Sequence, residues 1–496
     1  MSWFSNAISY IIEEITEAEG PLNSMKLALT AHPSVPKQTL DLLKTIGKLG
    51  HELNMPVYAV GGFVRDALLK IPTNEIDFVV IGDAIQFAGM AKTRLSGRAL
   101  VTYPRFQTAH FTHSNCKLEF ASARKESYQR NSRKPDVNRA SLQEDLSRRD
   151  FTINTMAMEL TVSNFGALVD PFKGMKAIQK KLIQTPLNPE STFSDDPLRM
   201  MRAARFSSQL GFRIHTQTQQ AMISQRQRLE IVSQERITDE ILKILSHRQP
   251  SIGLKILLET GILDIIFPEL SQLTGIEQRD DHHHKDVFNH TMKVLDNISR
   301  ITNNPLLRFT ALIHDIGKPQ VKRFVDGVGW TFHGHEIIGV RMLKHVIPRL
   351  KLSNQYLKYS QKLTGLHMRP IQLIGEEVTD SAIRRLLVQA GPEIDDLMTL
   401  CRADITSGNP KRVKTHLANF DYVVQRMKAV EEKDRLRAFQ SPVRGNEIMK
   451  TCGITPGPQV GKLKKRIEEA ILEGEIPNDH DAAYDYLLKI KDEIIG

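Results

Sequence analysis

Two groups of residues in this 496-residue chain have types and spacing that can do chemistry. The first lies in VYAVGGFVRDALLKIPTNEIDFVV, Val57 to Val80. Here an apolar run breaks on Gly61-Gly62, sets Arg65 and Asp66 just beyond, and returns with Glu75 and Asp77 among isoleucine, phenylalanine and valine. Side chains two apart on a strand point the same way. Glu75 and Asp77 then face one side, while Ile76 and Phe78 pack behind them. Paired carboxylates on one face suit Mg²⁺, because hard cations take oxygen ligands and are shared with substrate phosphates. Gly61-Gly62 at a strand end puts bare backbone at a helix start, where N–H groups and the helix dipole can hold a triphosphate. Taken alone, the same residues also fit a tight turn beside a surface edge strand.

The second group is His290 in HHHKDVFNHTMKVLDNI, His314-Asp315 in LLRFTALIHDIGK, and Asp404 in LCRADITSGN. Each stands against an apolar helical pattern, so all four can converge inside a helical bundle. Imidazole and carboxylate ligands together suit Mn²⁺, Ni²⁺, Fe²⁺ or Zn²⁺ better than Mg²⁺. His333, His335 and His367 are candidates to extend the set.

The elements that must position these residues change character along the chain. Residues 1–35 are expected to be an N-terminal extension, with Met25 an alternative start. Leu42, Leu43, Ile46, Leu49 and Leu53 recur at helical spacing, and strand-like runs follow at 57–60, 76–81, 99–103, 108–113 and 117–123. Between the last of these and residue 145, KESYQRNSRKPDVNRASLQED is polar, basic and aperiodic, as a mobile loop is. From about residue 176 the pattern is almost entirely helical. The expected fold is α+β: a small mixed-sheet head over 36–175, then an all-helical neck (176–250), body (251–430) and tail (431–496).

Composition narrows the class. At 41% hydrophobic residues the chain has ample core material. No apolar run reaches the roughly 18 residues of a membrane helix. Cys116, Cys401 and Cys452 lie far apart with no zinc spacing, and the N-terminus is acidic rather than a basic leader, so a reducing, cytoplasmic setting is expected. The net charge of +10 favours a polyanionic partner, although a merely basic protein carries the same sum. KGMKAIQKK (173–181), SQRQRLE (224–230) and GKLKKRIEEA (461–470) supply the charge in the helical part; any one of them also fits a solvated helix face.

The motifs around the first group are specific. GGFVRD (61–66), the acidic pair of NEIDFVV, RRDFTINTMAM (148–158), LVDPFKGM (168–175), SDDPLRMMRAARF (194–206) and SQERITDEI (233–241) appear in one order. Together they resemble the class II tRNA nucleotidyltransferases, or CCA-adding enzymes, of the polymerase-beta-like superfamily. The resemblance covers nearly all but the first few dozen residues. It implies that Glu75 and Asp77 are the metal-binding pair, although the family usually has Asp first and Glu75 is one methylene longer. It makes Glu119 the matching third carboxylate. It places Gly61, Gly62, Arg65 and Asp66 at the triphosphate, and Arg148, Arg149 and Asp150 in the motif that contacts the ribose.

Asp196 and Arg199, three apart in a helical pattern, are expected to share a helix face. An Asp accepts from an exocyclic amino group and an Arg donates to ring nitrogens, so one pair can take C and A while refusing U and G. Without the resemblance, a plain ion pair would be the better account. Arg202 and Arg205 of the same stretch are candidates to steady the triphosphate or the RNA. The implied activity is addition of C, C and A from CTP and ATP to the tRNA acceptor end. The RNA 3′-hydroxyl attacks the α-phosphate, assisted by two Mg²⁺, and pyrophosphate leaves. An A-adding enzyme or a poly(A) polymerase shares these motifs; a full-length 125–145 loop leans toward CCA addition. The histidine set resembles an HD domain, whose members hydrolyse phosphate esters or are retained as scaffolds. A metal-dependent HD phosphohydrolase with a degenerate head is the rival from another class.

Overall fold

The computed structural model describes residues 36–127, 136–280, 283–374, 379–434 and 441–495; the extension expected over residues 1–35 lies outside them. The chain divides into two compact units, residues 1–233 with 255–265, and residues 234–254 with 266–496.

The first unit is built on a seven-stranded mixed sheet. Helix α1 (Lys37–Glu52) leads into β1 (Val57–Val60), α2 (Gly62–Leu68), β2 (Glu75–Val80), α3 (Ala84–Leu95), β3 (Arg98–Tyr103), β4 (Thr108–His113) and β5 (Cys116–Ser122). After a hairpin of β6 (Arg124–Ser127) and β7 (Asp136–Arg139) come α4 (Leu142–Ser147), β8 (Ala157–Glu159) and β9 (Leu168–Val169). The sheet order is β3-β4-β5-β2-β1-β8-β9, with β2 and β5 parallel and the other neighbours antiparallel. The strand runs expected from the sequence are all present.

Period-two alternation gives the sheet two unlike faces. Ile76, Phe78, Leu118, Phe120, Ala109 and Phe111 are buried on one of them. The Phe78 and Phe120 rings stack at 4.7 Å, Phe111 follows at 5.7 Å, and Phe87 of α3 closes on Phe120 at 5.6 Å. This aromatic stack holds β2, β5 and β4 in register. On the other face a small cluster of Val60, Val79, Ala123, Leu146 and Ala157 covers one end of the strands. The opposite end of that face, with Glu75 and Asp77, stays open to solvent.

One expectation is corrected here. The stretch 125–145 is not simply a loop: it contributes β6, β7 and the start of α4, while residues 128–135 lie outside the described residues. Its polar sequence hides the α4 signal, a capping box in which the Ser141 hydroxyl accepts from the Glu144 N–H and the Glu144 carboxylate reaches back to Ser141.

Among the described residues the second unit is helical apart from two small hairpins. Helix α5 (Gln234–Ser246) is followed by α6 (Val287–Ile301), α7 (Pro305–Ile313), α8 (His335–Arg349), α9 (Asn354–Leu366) and α10 (Ile394–Asp404). Arg308 ties three of them together. Buried in α7, it donates to the carbonyls of Leu245 and His247 at the end of α5, to Ser299 and Thr302 at the end of α6, and to Asn303 Oδ1, over 2.7–3.1 Å. Its donors thereby cap helix ends whose carbonyls lack intrahelical partners. Three C-terminal helices, Gly445–Cys452, Pro458–Glu473 and His480–Ile495, close around their own core of Ile448, Leu463, Ile467 and Leu487.

Candidate active site and metal centre

In the first unit the register assembles the carboxylates. Asp77 of β2 lies directly beside Glu119 of β5, and Glu75 beside Lys117. Because paired residues share a face, Glu75, Asp77 and Glu119 all project from the open one. Lys117, which sequence reasoning missed, threads between them, its Nζ 3.2 Å from Glu119 and 3.9 Å from Glu75. Protein crowding around Asp77 raises its carboxyl to about 6; Arg149 opposes the shift, and Glu119 and Glu75 add to it. Three carboxylates on one face, the central one held back from ionisation chiefly by desolvation, are a set that a hard cation fits.

Gly61 ends β1 with φ +71°, a backbone conformation open to glycine. A Cβ there would stand 2.8 Å from Arg149 Nη1 and 3.8 Å from Asp77 Oδ2. The glycine thus keeps clear the approach between the carboxylates and a guanidinium. Gly61→Ala is expected to lower nucleotide addition at least about tenfold while costing only about 1–3 kcal/mol of stability, measured by primer extension beside thermal unfolding. An unchanged rate would show that the cleared space is not used.

The arginines are held rather than loose. Arg65, buried in α2, pairs with Asp66 at 2.7 Å and donates to Asn154 Oδ1 at 2.9 Å. Burial raises the Asp66 carboxyl despite that pairing. Asp145, fully buried and also missed from sequence, accepts from Arg148 at 2.7 Å and Arg149 at 3.2 Å. Burial opposes its charge, yet the two guanidiniums hold it below the ordinary carboxylate range. The spacing of three and four residues in EDLSRR was the available signal. Asp150 points elsewhere, to Arg202 at 2.6 Å, and accepts from Asn154 at 2.9 Å. Burial opposes its ionisation too, and Arg202 overcomes that and depresses it.

Asp196 and Arg199 do not share a helix face. A helix over Pro189–Asp195 ends at Asp196, which is extended (φ −135°, ψ 97°), and the next begins at Leu198. The reason is Pro197, whose ring disfavours the helical region for the residue before it. Asp196 instead accepts from the N–H of Leu198 at 3.3 Å, and buried Arg199 donates to the carbonyls of Arg148 at 2.5 Å and Thr192 at 3.5 Å. Helix Leu198–Leu210 is therefore fastened to the 148–150 segment twice, by Arg199 and by Arg202. Arg205 lies over the Phe206 ring at 4.2 Å, with Arg65 on the same ring at 5.0 Å.

In the second unit the sparse histidines converge. His290 stands in the first turn of α6, His314 just past α7, His335 at the start of α8, His367 just past α9 and Asp404 at the end of α10. His290, His314 and Asp404 form one set of donors within 4.8 Å of one another, and Asp315, His335 and His367 a second; His333 is in neither. Asp315 joins them. Its Oδ2 is 3.5 Å from His290 and 3.3 Å from His314, and its Oδ1 is 3.4 Å from His335 and 3.9 Å from His367.

The other ring nitrogens are all engaged. Nδ1 of His314, His335 and His367 bonds the carbonyls of Ala311, Phe332 and Thr364 at 2.7–2.9 Å, and Nδ1 of His290 meets Thr406 Oγ1 at 2.8 Å. Such bonds place the Nδ1 proton of the three carbonyl-bonded rings on a backbone acceptor and aim Nε2 into the cluster, where a metal would take the place of any proton there, the outer-shell arrangement of metal-bound histidine. His314 Nε2 and Asp404 Oδ1 lie buried 3.3 Å apart, with His290 Nε2 2.8 Å from the same oxygen, and neither atom is in a well-aligned hydrogen bond. An ion between them would satisfy both, so this donor set fits a transition metal.

Burial opposes charge on His314, but Asp315 and Asp404 raise it to about 10; burial and that same charge push His367 down to about 4. Lys318, with no sequence signal of its own, contacts Asp315 at 2.7 Å. Gly317 permits the close approach of α8, since a Cβ there would lie 2.2 Å from the His335 carbonyl.

The basic run at 461–470 is ordinary by comparison: Lys464 and Lys465 each face a glutamate one turn on, at 3.7 Å. Among the described residues no helix is long and apolar enough to cross a membrane.

Comparison with known proteins bears on the segments in which both sites lie. Residues 57–184 match the Poly A polymerase head domain, 211–273 the probable RNA and SrmB-binding site of polymerase A, and 287–408 the HD domain. An A-adding tRNA nucleotidyltransferase of Deinococcus radiodurans is 32% identical over 69% of this chain and 78% of its own length. A multifunctional CCA protein of Legionella pneumophila is 32% identical over 71% and 85%. A CCA-adding enzyme solved with CTP superposes with a TM-score of 0.62 at 25% identity, over 94% of this chain and 98% of that one. With its head, its RNA-binding segment and its HD domain in this order, the chain belongs to the tRNA nucleotidyltransferase family that carries the Poly A polymerase head.

Proposed function

We propose that the chain adds C, C and A, from CTP and ATP, to the 3′ end of tRNA. The observation that carries this is the open row of Glu75, Asp77 and Glu119 beside the cleared space at Gly61. Mg²⁺ held by those three carboxylates would lower the pKa of the attacking hydroxyl and neutralise charge on the departing pyrophosphate. The chain's own residues do the positioning. The backbone at Gly61-Gly62 accepts the triphosphate, and Arg149, fixed by Asp145, lies against it. The RNA 3′-oxygen bonds to the α-phosphorus in line as the bond to the β-phosphate bridge breaks. The fastening of helix 198–210 to residues 148–150 couples the ribose contact to base selection, in which Asp196 and Arg199 would meet C or A from either side of the break at Pro197 rather than from one helix face.

The test is primer extension on tRNA transcripts ending in the discriminator base, in C, or in CC, with each nucleotide offered singly with Mg²⁺. Ordered addition of C, C and A that then stops is expected. Addition of A only to the CC-ended transcript means an A-adding enzyme, and long A tracts mean a poly(A) polymerase. No incorporation with Mg²⁺ or Mn²⁺ overturns the proposal.

A second activity is favoured by the way Asp315 spans both sets of histidines. Divalent metal held there would polarise a phosphate ester and lower the pKa of an attacking water. The chain supplies four histidines with fixed rings and a lysine, Lys318, at the edge of the set.

A further inference from the structure

The row of functional side chains on the open face does not stop at Glu119. Glu119 of β5 pairs with His110 of β4, and His110 pairs with Val101 of β3. Ala109 and Phe111, on either side of His110, are buried in the aromatic core, so His110 faces the carboxylate side. Tyr103, two residues beyond Val101, shares that face, its ring 5.9 Å from the His110 imidazole and inclined by 28°. Two strand spacings, about 10 Å, separate Asp77 from His110, and Tyr103 lies one strand further out. Tyr103 is 47% exposed at the sheet edge, and the chain from Val101 to Phe106 is exposed throughout. Burial therefore does not explain an aromatic pair here. The turn is pinned, because Arg124 donates to the Phe106 carbonyl, and exposed Arg105 within it adds positive charge.

We infer that Tyr103 and His110 form a stacking platform for the unpaired bases at the 3′ end of the RNA substrate. This rests on the reading of the head as a polymerase acting on RNA. The chemistry fits that use. The terminal base changes at each addition, so hydrogen bonds to base edges would favour one stage over the others. An aromatic face takes any base, since every base has a π-face. The charge around the turn matches a phosphate backbone, and the platform is continuous with the carboxylates where the 3′-hydroxyl must lie.

Tyr103→Ala and His110→Ala are expected to raise KM for a CC-ended tRNA about tenfold, with KM for ATP unchanged and unfolding temperature unchanged. Tyr103→Phe, which keeps the ring, is expected to behave as the wild type. Independently of turnover, an acceptor-stem hairpin RNA carrying 2-aminopurine in its unpaired 3′ tail is expected to be quenched by the wild-type protein and by Tyr103→Phe, and not by Tyr103→Ala. An unchanged RNA KM in folded Tyr103→Ala, a shift in KM for ATP instead, or equal quenching by all three proteins overturns the platform. A wild-type protein that extends no RNA defeats the polymerase reading alone, because the quenching still decides whether Tyr103 stacks on RNA.

Discussion

Asp77→Ala is expected to abolish nucleotide addition, with kcat down by at least about a thousandfold, roughly 4 kcal/mol of transition-state stabilisation. Asp77 is the centre of the row. It shares a strand face with Glu75, lies beside Glu119, and has its Oδ2 next to the space that Gly61 clears, with Arg149 at the same place. Removing it deletes the carboxylate that the others surround and leaves Arg149 without its nearest anion in the cleft. The fold is expected to tolerate the change. The side chain reaches solvent, it packs against none of the aromatic core behind it, and its loss relieves repulsion among three acids. Because burial and its neighbours hold this carboxyl at about 6, its charge opposes folding at neutral pH, and the variant is expected to be at least as stable as the wild type. Asp77→Asn keeps the shape, removes the charge, and is expected to fail as fully. The measurement is single-turnover extension of a CC-ended tRNA by ATP, beside thermal unfolding of each variant. A folded Asp77→Ala protein with more than a tenth of wild-type rate would remove the carboxylate row from the mechanism.

Much of the first site was legible because strand periodicity is rigid. Glu75 and Asp77 are two apart on an apolar strand, and from that alone both face one side with Ile76 and Phe78 behind. Glu119 required the strand order, which periodicity does not give; the family resemblance supplied it, and the parallel β2–β5 pairing puts it beside Asp77. Helical spacing was the weaker guide. Asp196 and Arg199 looked like one face because they are three apart, but Pro197 stands between them, and its effect on the preceding residue outweighs the pattern. Lys117 and Asp145 act through partners that are visible only once strands and helix ends meet, although the spacing of Asp145 from Arg148 and Arg149 was a local clue. Histidine positions carried no period at all. His290, His314, His335, His367 and Asp404 come from the ends of five helices, so their convergence depends on how the bundle packs, which Arg308 and Gly317 help to set.

The same packing makes Asp315 the residue on which the second centre depends most, and Asp315→Ala is expected to cost it both metal and hydrolysis. Asp315 is buried and belongs to both donor sets, its two oxygens lying 3.3–3.9 Å from four imidazole Nε2 atoms. Burial works against its charge, yet His314 and Lys318 hold its carboxyl well below the ordinary range. With the carboxylate gone, Lys318 and the imidazoles are left in a buried site without their shared anion, which typically costs about 3–5 kcal/mol when one partner of a buried charged group is deleted. The metal-free variant is therefore expected to unfold at a lower temperature than the wild type. After equilibration with Mn²⁺ or Ni²⁺ and dialysis, metal measured by plasma mass spectrometry should fall to background, and turnover of a chromogenic phosphodiester should fall with it. Nucleotide addition supplies the folding control, since Glu75, Asp77 and Glu119 belong to the other compact unit. A variant that still extends tRNA but holds no metal would establish Asp315 as the bridge between the two sets. One that extends tRNA and keeps its full metal content would mean that each set binds alone, and the joined centre would have to be given up.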